Sequence, residues 1–349
     1  MAGRKTVLVT GIGGNTAQGV ARSLLKFQDE FAVIGSDSDR YNYRFGLKYA
    51  KKVYLVPRAK DEDYIDAVSR IIRKEKIDVI VPSPEPEVCE LSKHRHELDV
   101  NLLLPNHQVI ETTQDKWLTH QILKDNVQQP KSFLIGSYKD LERGFSEIEK
   151  PLWIRRRRGV GGSKALVAHR LEDARFWVEY WGGYGEFIAH EILPGRNLSW
   201  IGLYRDGELI ASGGYQRLRY FLGHISPTGV TGNVSVAMTI NDDELNDAAE
   251  TALQVLDDKP NGVYTIDLKE NGKPNVTELN SGRFHMSFYT YTEAGLNLPL
   301  YYAKLALDEP FNPPPKRNGL RAGVVAIRNT DNEPIFLSSA ELGKDVLIP

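Results

Sequence analysis

The sequence predicts a doubly wound, parallel, Rossmann-like α/β domain followed by a larger α+β region, and three observations carry that prediction. Residues 5–104 alternate apolar runs (KTVLVT, FAVIGSD, KVYLV, IDVIVP, VNLLLP) with helical patterns, which indicates a parallel sheet covered on both faces. The first run ends in a glycine-rich turn, TGIGGNTAQG, that opens a helix. Farther on, two runs rich in β-branched residues, 263–269 and 274–280, flank Asn271-Gly272, the strongest short-range hairpin signal a sequence offers.

With 349 residues the chain exceeds what one core usually organises, so two or three subdomains are expected. A hydrophobic content of 41% and a net charge of -2 describe an ordinary globular protein and ask for neither nucleic acid nor membrane. The N-terminus runs straight into a strand without a signal-type apolar core, and no 18-residue apolar run is present, so a cytoplasmic location is expected. The single cysteine, Cys89, excludes an intrachain disulfide and falls in a helical pattern, as a structural thiol does.

Taken in order, Gly11 and Gly13 fit the opening of a dinucleotide fingerprint and Asp37 ends the second strand, but Thr16 stands at the third glycine position. A tight strand-to-helix turn is the plainer reading. Helices are expected over 16–27, 61–74 and 87–97. Glu85 and Glu87 lie just beyond a strand, where they either meet an amine ligand in the crevice or serve as first-turn acids favoured by the helix dipole. A further helix is expected from residue 112, followed by Gln129-Pro130 and the strand KSFLI.

Residues 150–168 read as strand, glycine-rich loop and strand, a flap whose backbone N–H groups can cradle phosphates. The run Arg155 to Arg158 sits at its start. Strand alternation sends neighbouring arginines to opposite faces, and no aromatic platform accompanies them, which argues against a nucleic-acid patch. In GYQRLRYFLGHISPTGVTGNVS, Arg217 and Arg219 share a face if the strand persists, and arginine forks suit a carboxylate or an acyl phosphate. The loop after them reads as a mobile cover.

With Asn271 and Gly272 as the two loop residues, Asp267 lies opposite Val276. Thr265, Asp267, Glu278 and Asn280 then line one side of the ribbon, and the two carboxylates are diagonal neighbours at roughly 7 Å. Two carboxylates and an amide oxygen are hard-oxygen chemistry suited to Mg2+. A solvated hairpin face is the alternative.

Asp267, then Glu278-Leu279-Asn280, then Arg283, resembles the metal-binding end of the ATP-grasp superfamily, which includes the D-alanine ligases, biotin carboxylase and the large subunit of carbamoyl-phosphate synthetase. The resemblance spans residues 5–310. It implies domains at 1–111 (a pre-ATP-grasp domain), 112–185 (a small lobe with the flap), 186–315 (a large lobe with the Mg/ATP site) and 316–349 (a C-terminal β appendage). It also implies an enzyme that phosphorylates a small-molecule carboxylate with ATP and passes the acyl group to an amine, ammonia or thiol, with one or two Mg2+, or Mn2+ in their place. A homodimer is usual in similar enzymes.

Residue by residue, Asp115-Lys116 resembles the family's DK motif, whose lysine approaches the phosphates. Arg155 stands where the family has lysine, ahead of a loop that keeps Gly159, Gly161, Gly162, Ser163 and Lys164. EFIAHEILPGRN resembles the adenine hinge, with His190, Glu191, Ile192 and Leu193 as the hinge and Asn197 where a ribose-contacting glutamate is usual. Asp267, Glu278 and Asn280 are the implied metal ligands. Arg283 follows in Asn-Ser-Gly-Arg, one residue longer than the common Asn-Pro-Arg, and with Arg217 or Arg219 it is the implied stabiliser of the acyl phosphate. His285 reads as a satisfied loop histidine. Two other classes stay open: a non-catalytic ATP-binding or regulatory protein on the same scaffold, and an NAD(P)-dependent reductase using the Gly11 turn.

Overall fold

The computed structural model describes residues 3–159, 162, 164–329 and 335–340. Its first part is built from β1 (Lys5–Thr10), α1 (Asn15–Leu25), β2 (Phe31–Asp37), α2 (Tyr43–Gly46), β3 (Val53–Leu55), α3 (Tyr64–Glu75), β4 (Val79–Val81) and α4 (Glu85–Lys93). The strands run in the order β3-β2-β1-β4, all parallel. Leu8, Ile34 and Ile80 face a core under α3 and α4. Val7, Val9, Val79 and Val81 face the other way, into a core shared with Phe284, Phe288 and Tyr302 from the far end of the chain. Strands buried on both faces need continuous apolar runs, which makes four of the five expected strands legible in sequence; the fifth run, VNLLLP, forms only an isolated bridge, Asn101 to Val79.

The helix expected from residue 112 is two helices, α5 (His107–Thr113) and α6 (Lys116–Leu123). The break has a cause: the Asp115 carboxylate accepts from the backbone N–H groups of Trp117 and Leu118 at 3.1 and 3.2 Å, which makes it the N-cap of a new helix.

The small lobe comprises β5 (Ser132–Ile135), α7 (Tyr138–Glu147), β6 (Leu152–Arg156), β7 (Leu166–Ala168), α8 (Leu171–Tyr180) and β8 (Phe187–Glu191), with sheet order β5-β8-β6-β7. Because β8 pairs with β5 and β6, this lobe continues past the boundary expected at residue 185.

The large lobe comprises β9 (Asn197–Arg205), β10 (Glu208–Tyr220), β11 (Val234–Ile240), α9 (Asp243–Leu256), β12 (Gly262–Asn271), β13 (Lys273–Ser281), α10 (Tyr289–Glu293), α11 (Leu298–Ala306), β14 (Val324–Ile327) and β15 (Ile335–Ser338). They form a seven-stranded sheet ordered β13-β12-β9-β10-β11-β14-β15. The last two strands, expected as an appendage, thus extend this sheet.

Two register details differ from expectation, and both bear on the site. At the hairpin Asn271 pairs with Lys273, so Gly272 alone forms the tip with φ +72°, and Thr277 is an extra residue bulged out of β13. Its hydroxyl donates to the Asp267 carbonyl at 2.9 Å. As a result Asp267 lies directly opposite Glu278 instead of diagonal to it. In β10 the register shifts between Arg217 and Arg219, which breaks the alternation that would have put both on one face.

Candidate active site

One row of side chains crosses four strands. Tyr215 of β10 pairs with Ser199 of β9, Ser199 with Asp267 of β12, and Asp267 with Glu278 of β13. Directly opposite residues share a face, so the row is set by backbone register and delivers hydroxyls at one end and two carboxylates at the other. One pleat along, Thr265 pairs with Asn280, which places the amide beside the carboxylates.

Each acceptor in this row is met by a cation. Asp267 Oδ1 accepts from Arg217 Nη2 at 2.5 Å and from the Ser199 hydroxyl at 2.9 Å. Burial alone would raise the Asp267 carboxyl, but Arg217 and Ser199 hold it below the usual carboxylate range. Glu278 takes Arg155 Nη1 on Oε2 at 3.0 Å and Lys116 Nζ by Oε1 at 3.4 Å. The Asn280 amide oxygen accepts from Arg283 Nη2 at 2.8 Å, and the same nitrogen lies 3.3 Å from Glu85 Oε2 of α4. Glu85 is therefore the partner of Arg283 as well as a first-turn helix acid.

Arg155 reaches across from the small lobe. Its Nη2 donates to the Thr277 carbonyl at 2.7 Å and its Nε to His190 Nε2 at 3.1 Å. To accept, His190 must carry its proton on Nδ1, which faces the Ser132 hydroxyl at 2.5 Å, and burial holds the imidazole neutral by lowering its pKa well below the usual value. The hinge histidine is thus a side-chain partner of Arg155. A small cleft between the lobes is lined by Lys116, His120, Gln129, His190, Thr277 and Glu278.

The flap is set by further pairs. Lys116 Nζ donates to the Gly159 carbonyl at 2.7 Å, and Gly159 has φ +116°. Arg157 and Arg158 both pair with Asp115, and Arg156 with Glu186, so every arginine of the run has an acidic partner and the run is not a free basic patch. Gly161 and Ser163 lie outside the described residues. Gly162 has φ +68°, and Lys164 sits over the Trp181 ring at 4.0 Å. Glu191 ends β8 and its carboxylate accepts from the Lys131 N–H at 2.8 Å, with Ile192 exposed and Leu193 buried after it.

Asn197 turns to the Tyr220 hydroxyl at 2.5 Å. Arg219, expected beside Arg217, is exposed and forms no ion pair among the described residues, because the irregularity at Leu218 turns it away. The extra residue before Arg283 is absorbed by Gly282, which adopts φ +80° and packs so tightly that a Cβ would lie 2.6 Å from Val88 Cγ1. With that turn Arg283 folds back onto the Asn280 amide oxygen. His285 donates from Nδ1 to the Met286 carbonyl at 2.6 Å, while its buried Nε2 has no partner, so it is only half satisfied.

Sequence reasoning missed Ser199 and Tyr215. Ser199 carries a readable signal, a polar residue two positions after Asn197 in an otherwise apolar strand. The Asp37 carboxylate accepts from the Gly13 and Asp39 N–H groups, both at 2.8 Å, so it is spent on the turn it follows and is not offered to a ribose.

The donor set fits Mg2+ in kind, with two opposed carboxylates and an amide oxygen. It does not suit a bare cation. Lys116, Arg155, Arg217 and Arg283 face Asp267, Glu278 and Glu85, which leaves positive charge in excess and asks for polyanionic phosphate with the metal.

The sequence profile described as PylC-like, N-terminal domain matches residues 7–103. Over 128 residues the chain is 27% identical to the carbamoyl phosphate synthase large chain of Campylobacter jejuni, a match covering 34% of this chain and 12% of that one. In solved structures it is similar to N5-carboxyaminoimidazole synthetase from Staphylococcus aureus complexed with ADP (TM-score 0.70, 14% identity, covering 93% of this chain and 82% of that one). The biotin carboxylase domain of Hydrogenobacter thermophilus 2-oxoglutarate carboxylase, with MgADP and bicarbonate, gives TM-score 0.70 at 15% identity, covering 93% and 73%. L-amino acid ligase from Bacillus licheniformis gives 0.67 at 14%, covering 93% and 79%. With the two-lobed architecture and the carboxylate row above, these likenesses identify the chain as having the ATP-grasp fold, behind an N-terminal domain similar to the PylC-like one.

Proposed function

We propose that this protein is an ATP-dependent ligase that activates a small-molecule carboxylate as an acyl phosphate and transfers the acyl group to an amine or ammonia. The single observation that carries the reading is the register that opposes Asp267 to Glu278 beneath four cationic arms from both lobes.

In this reading Lys116 and Arg155 bind phosphates, with the flap at Gly159 and Gly162 covering them, and Asp267, Glu278 and Asn280 hold the metal. Bound there, Mg2+ supplies charge neutralisation on the transferring phosphoryl group. Arg283 stands beside Asn280, where it stabilises negative charge on the activated acyl group and its tetrahedral adduct. Arg217 acts at one remove, as the residue that keeps Asp267 ionised and aimed. Arg219 has no role in this scheme. Both substrates are small molecules, and the setting is a cytoplasm rich in ATP. Among the described residues no helix is long and apolar enough to cross a membrane.

The test is phosphate release from MgATP over a grid of carboxylates against amines, with Glu278→Gln as blank and mass analysis of any active pair. ADP formation that needs both partners, together with a condensed product, is the expected result. ATP binding with no turnover across a broad grid would favour the regulatory alternative.

A further inference from the structure

The chain as a whole is net negative, yet residues 40–60 hold seven lysines and arginines and no aspartate or glutamate. They form α2, the edge strand β3 and the turns beside them. Large apolar side chains are turned to solvent in the same stretch: Tyr41, Phe45, Leu47 and Leu55 are between 53% and 65% exposed. A single exposed leucine is ordinary, but a group of apolar residues set among cations marks a contact surface.

The backbone gives these side chains no other direction. Gly46 is pressed so closely on Ile12 that an added Cβ would lie 2.2 Å from Ile12 Cγ2, so the inward position of α2 is filled by a residue without a side chain. Phe45 and Leu47, on either side of it, face out. In β3, Val53 packs into the core that holds α1 and Tyr54 into the core beneath α3. Alternation then puts Leu55 on the face of Val53, away from α3. Arg40, Arg44 and Lys51 are exposed in the same stretch. The nearest acids do not offset them. Asp39 is spent on the N–H groups of Tyr41 and Asn42, at 2.7 and 2.9 Å. Asp61, Glu62 and Asp63 lead into α3 on the opposite face of the sheet, where Lys52 also turns, to Glu75 at 2.8 Å.

The chemistry of this face selects its partner. A second copy meeting it face to face would set like charge against like charge. Single-stranded nucleic acid would use the arginines and the aromatic rings but offers no apolar phase to Leu47 and Leu55. The interface of an anionic bilayer takes both sets, with apolar side chains below the headgroups and cations at their level. We propose that this face of the N-terminal domain docks the protein reversibly on an anionic lipid surface, with Phe45, Leu47 and Leu55 entering the headgroup region and Arg40, Arg44 and Lys51 meeting lipid phosphate.

The experiment is co-sedimentation of the whole protein with vesicles of phosphatidylcholine alone and of an equal mixture with phosphatidylglycerol, over a range of salt. It reads no turnover, so its outcome is independent of the ligase reading. Binding is expected to the mixed vesicles only, and it should weaken as salt rises. Arg44→Gln with Lys51→Gln should lower the affinity by about tenfold or more, the loss of two cations near the surface. Phe45→Ser with Leu47→Ser should lower it by a similar factor, and both pairs should keep the wild-type Tm because the altered side chains face solvent. Undiminished binding in the apolar pair, or equal sedimentation with both kinds of vesicle, overturns the proposal. So does an absence of sedimentation, which, together with salt-dependent binding of a single-stranded oligonucleotide, would assign the face to nucleic acid.

Discussion

Arg155 Nη1 donates to Glu278 Oε2 at 3.0 Å, joining the small lobe to a carboxylate implied as a metal ligand. A planar fork in place of lysine makes a second bond from the same head, to the Thr277 carbonyl at 2.7 Å, with its two donors held in a fixed relative geometry. A divalent ion seeking Glu278 must therefore displace Arg155 and also meet excess positive charge. Mn2+, followed by electron paramagnetic resonance, should bind weakly alone and tightly with ADP. Arg155→Met should raise affinity for Mn2+ alone by about tenfold or more. Equal affinity for Mn2+ with and without ADP in the wild type would remove the argument.

The Arg217–Asp267 pair makes a second prediction. Asp267→Asn leaves a mostly buried guanidinium without its counter-ion, at a cost of about 3 kcal/mol in stability. Arg217→Met in the same chain should restore much of that stability but no turnover, because Asp267 is required for the chemistry and Arg217 only positions it. Urea midpoints paired with phosphate-release rates separate the two effects. A double variant that recovers activity would mean that Asp267 is structural only.

The parts of this molecule that were legible in its sequence obey simple periodicities. The inner parallel strands β1, β2 and β4 are apolar through their middles because both faces are buried there, and Thr265, Asp267, Glu278 and Asn280 share a face because alternation survives a paired shift at Gly272 and Thr277. The rest depends on single irregular residues. A bulge has no sequence signature of its own, so the direct opposition of Asp267 to Glu278 and the turning away of Arg219 could not be read. Nor could the pairing of each acid with its own arginine, since partners such as Arg155 and Glu278 meet only after two lobes have folded.

Glu87 sets a pH dependence. Burial, with Asp37 adding to it, pushes its carboxyl up to about 7 from the usual 4.5. A folded-state pKa above the unfolded one means that the native state holds the proton more tightly, so its contribution to stability is complete below the unfolded value and is lost as pH rises through about 7. Glu87→Gln should remove a decline of about 3 kcal/mol over that interval and so gain on the wild type as pH rises. Urea denaturation from about pH 5 to about pH 8 provides the comparison. Parallel stability curves for the two proteins would show that Glu87 is not held protonated.

Gly282 carries the last prediction, because it lets a longer motif deliver Arg283 to Asn280. Its φ of +80° is open to glycine and costly for any residue with a Cβ, and the added carbon would sit 2.6 Å from Val88 Cγ1 of α4. Gly282→Ala should cost roughly 2 kcal/mol and push the Arg283 backbone away from the N-terminal domain. The pairs Arg283–Asn280 and Arg283–Glu85 would loosen together, so turnover should fall more steeply than nucleotide affinity, which draws on Lys116 and Arg155 instead. Deleting Ser281 to restore the shorter spacing is not equivalent, since Ser281 bonds Thr113 at 2.7 Å and ends β13. ADP affinity by calorimetry and phosphate release measured on the same preparations decide the matter: an alanine variant with wild-type turnover would show that Arg283 does not depend on the turn that presents it.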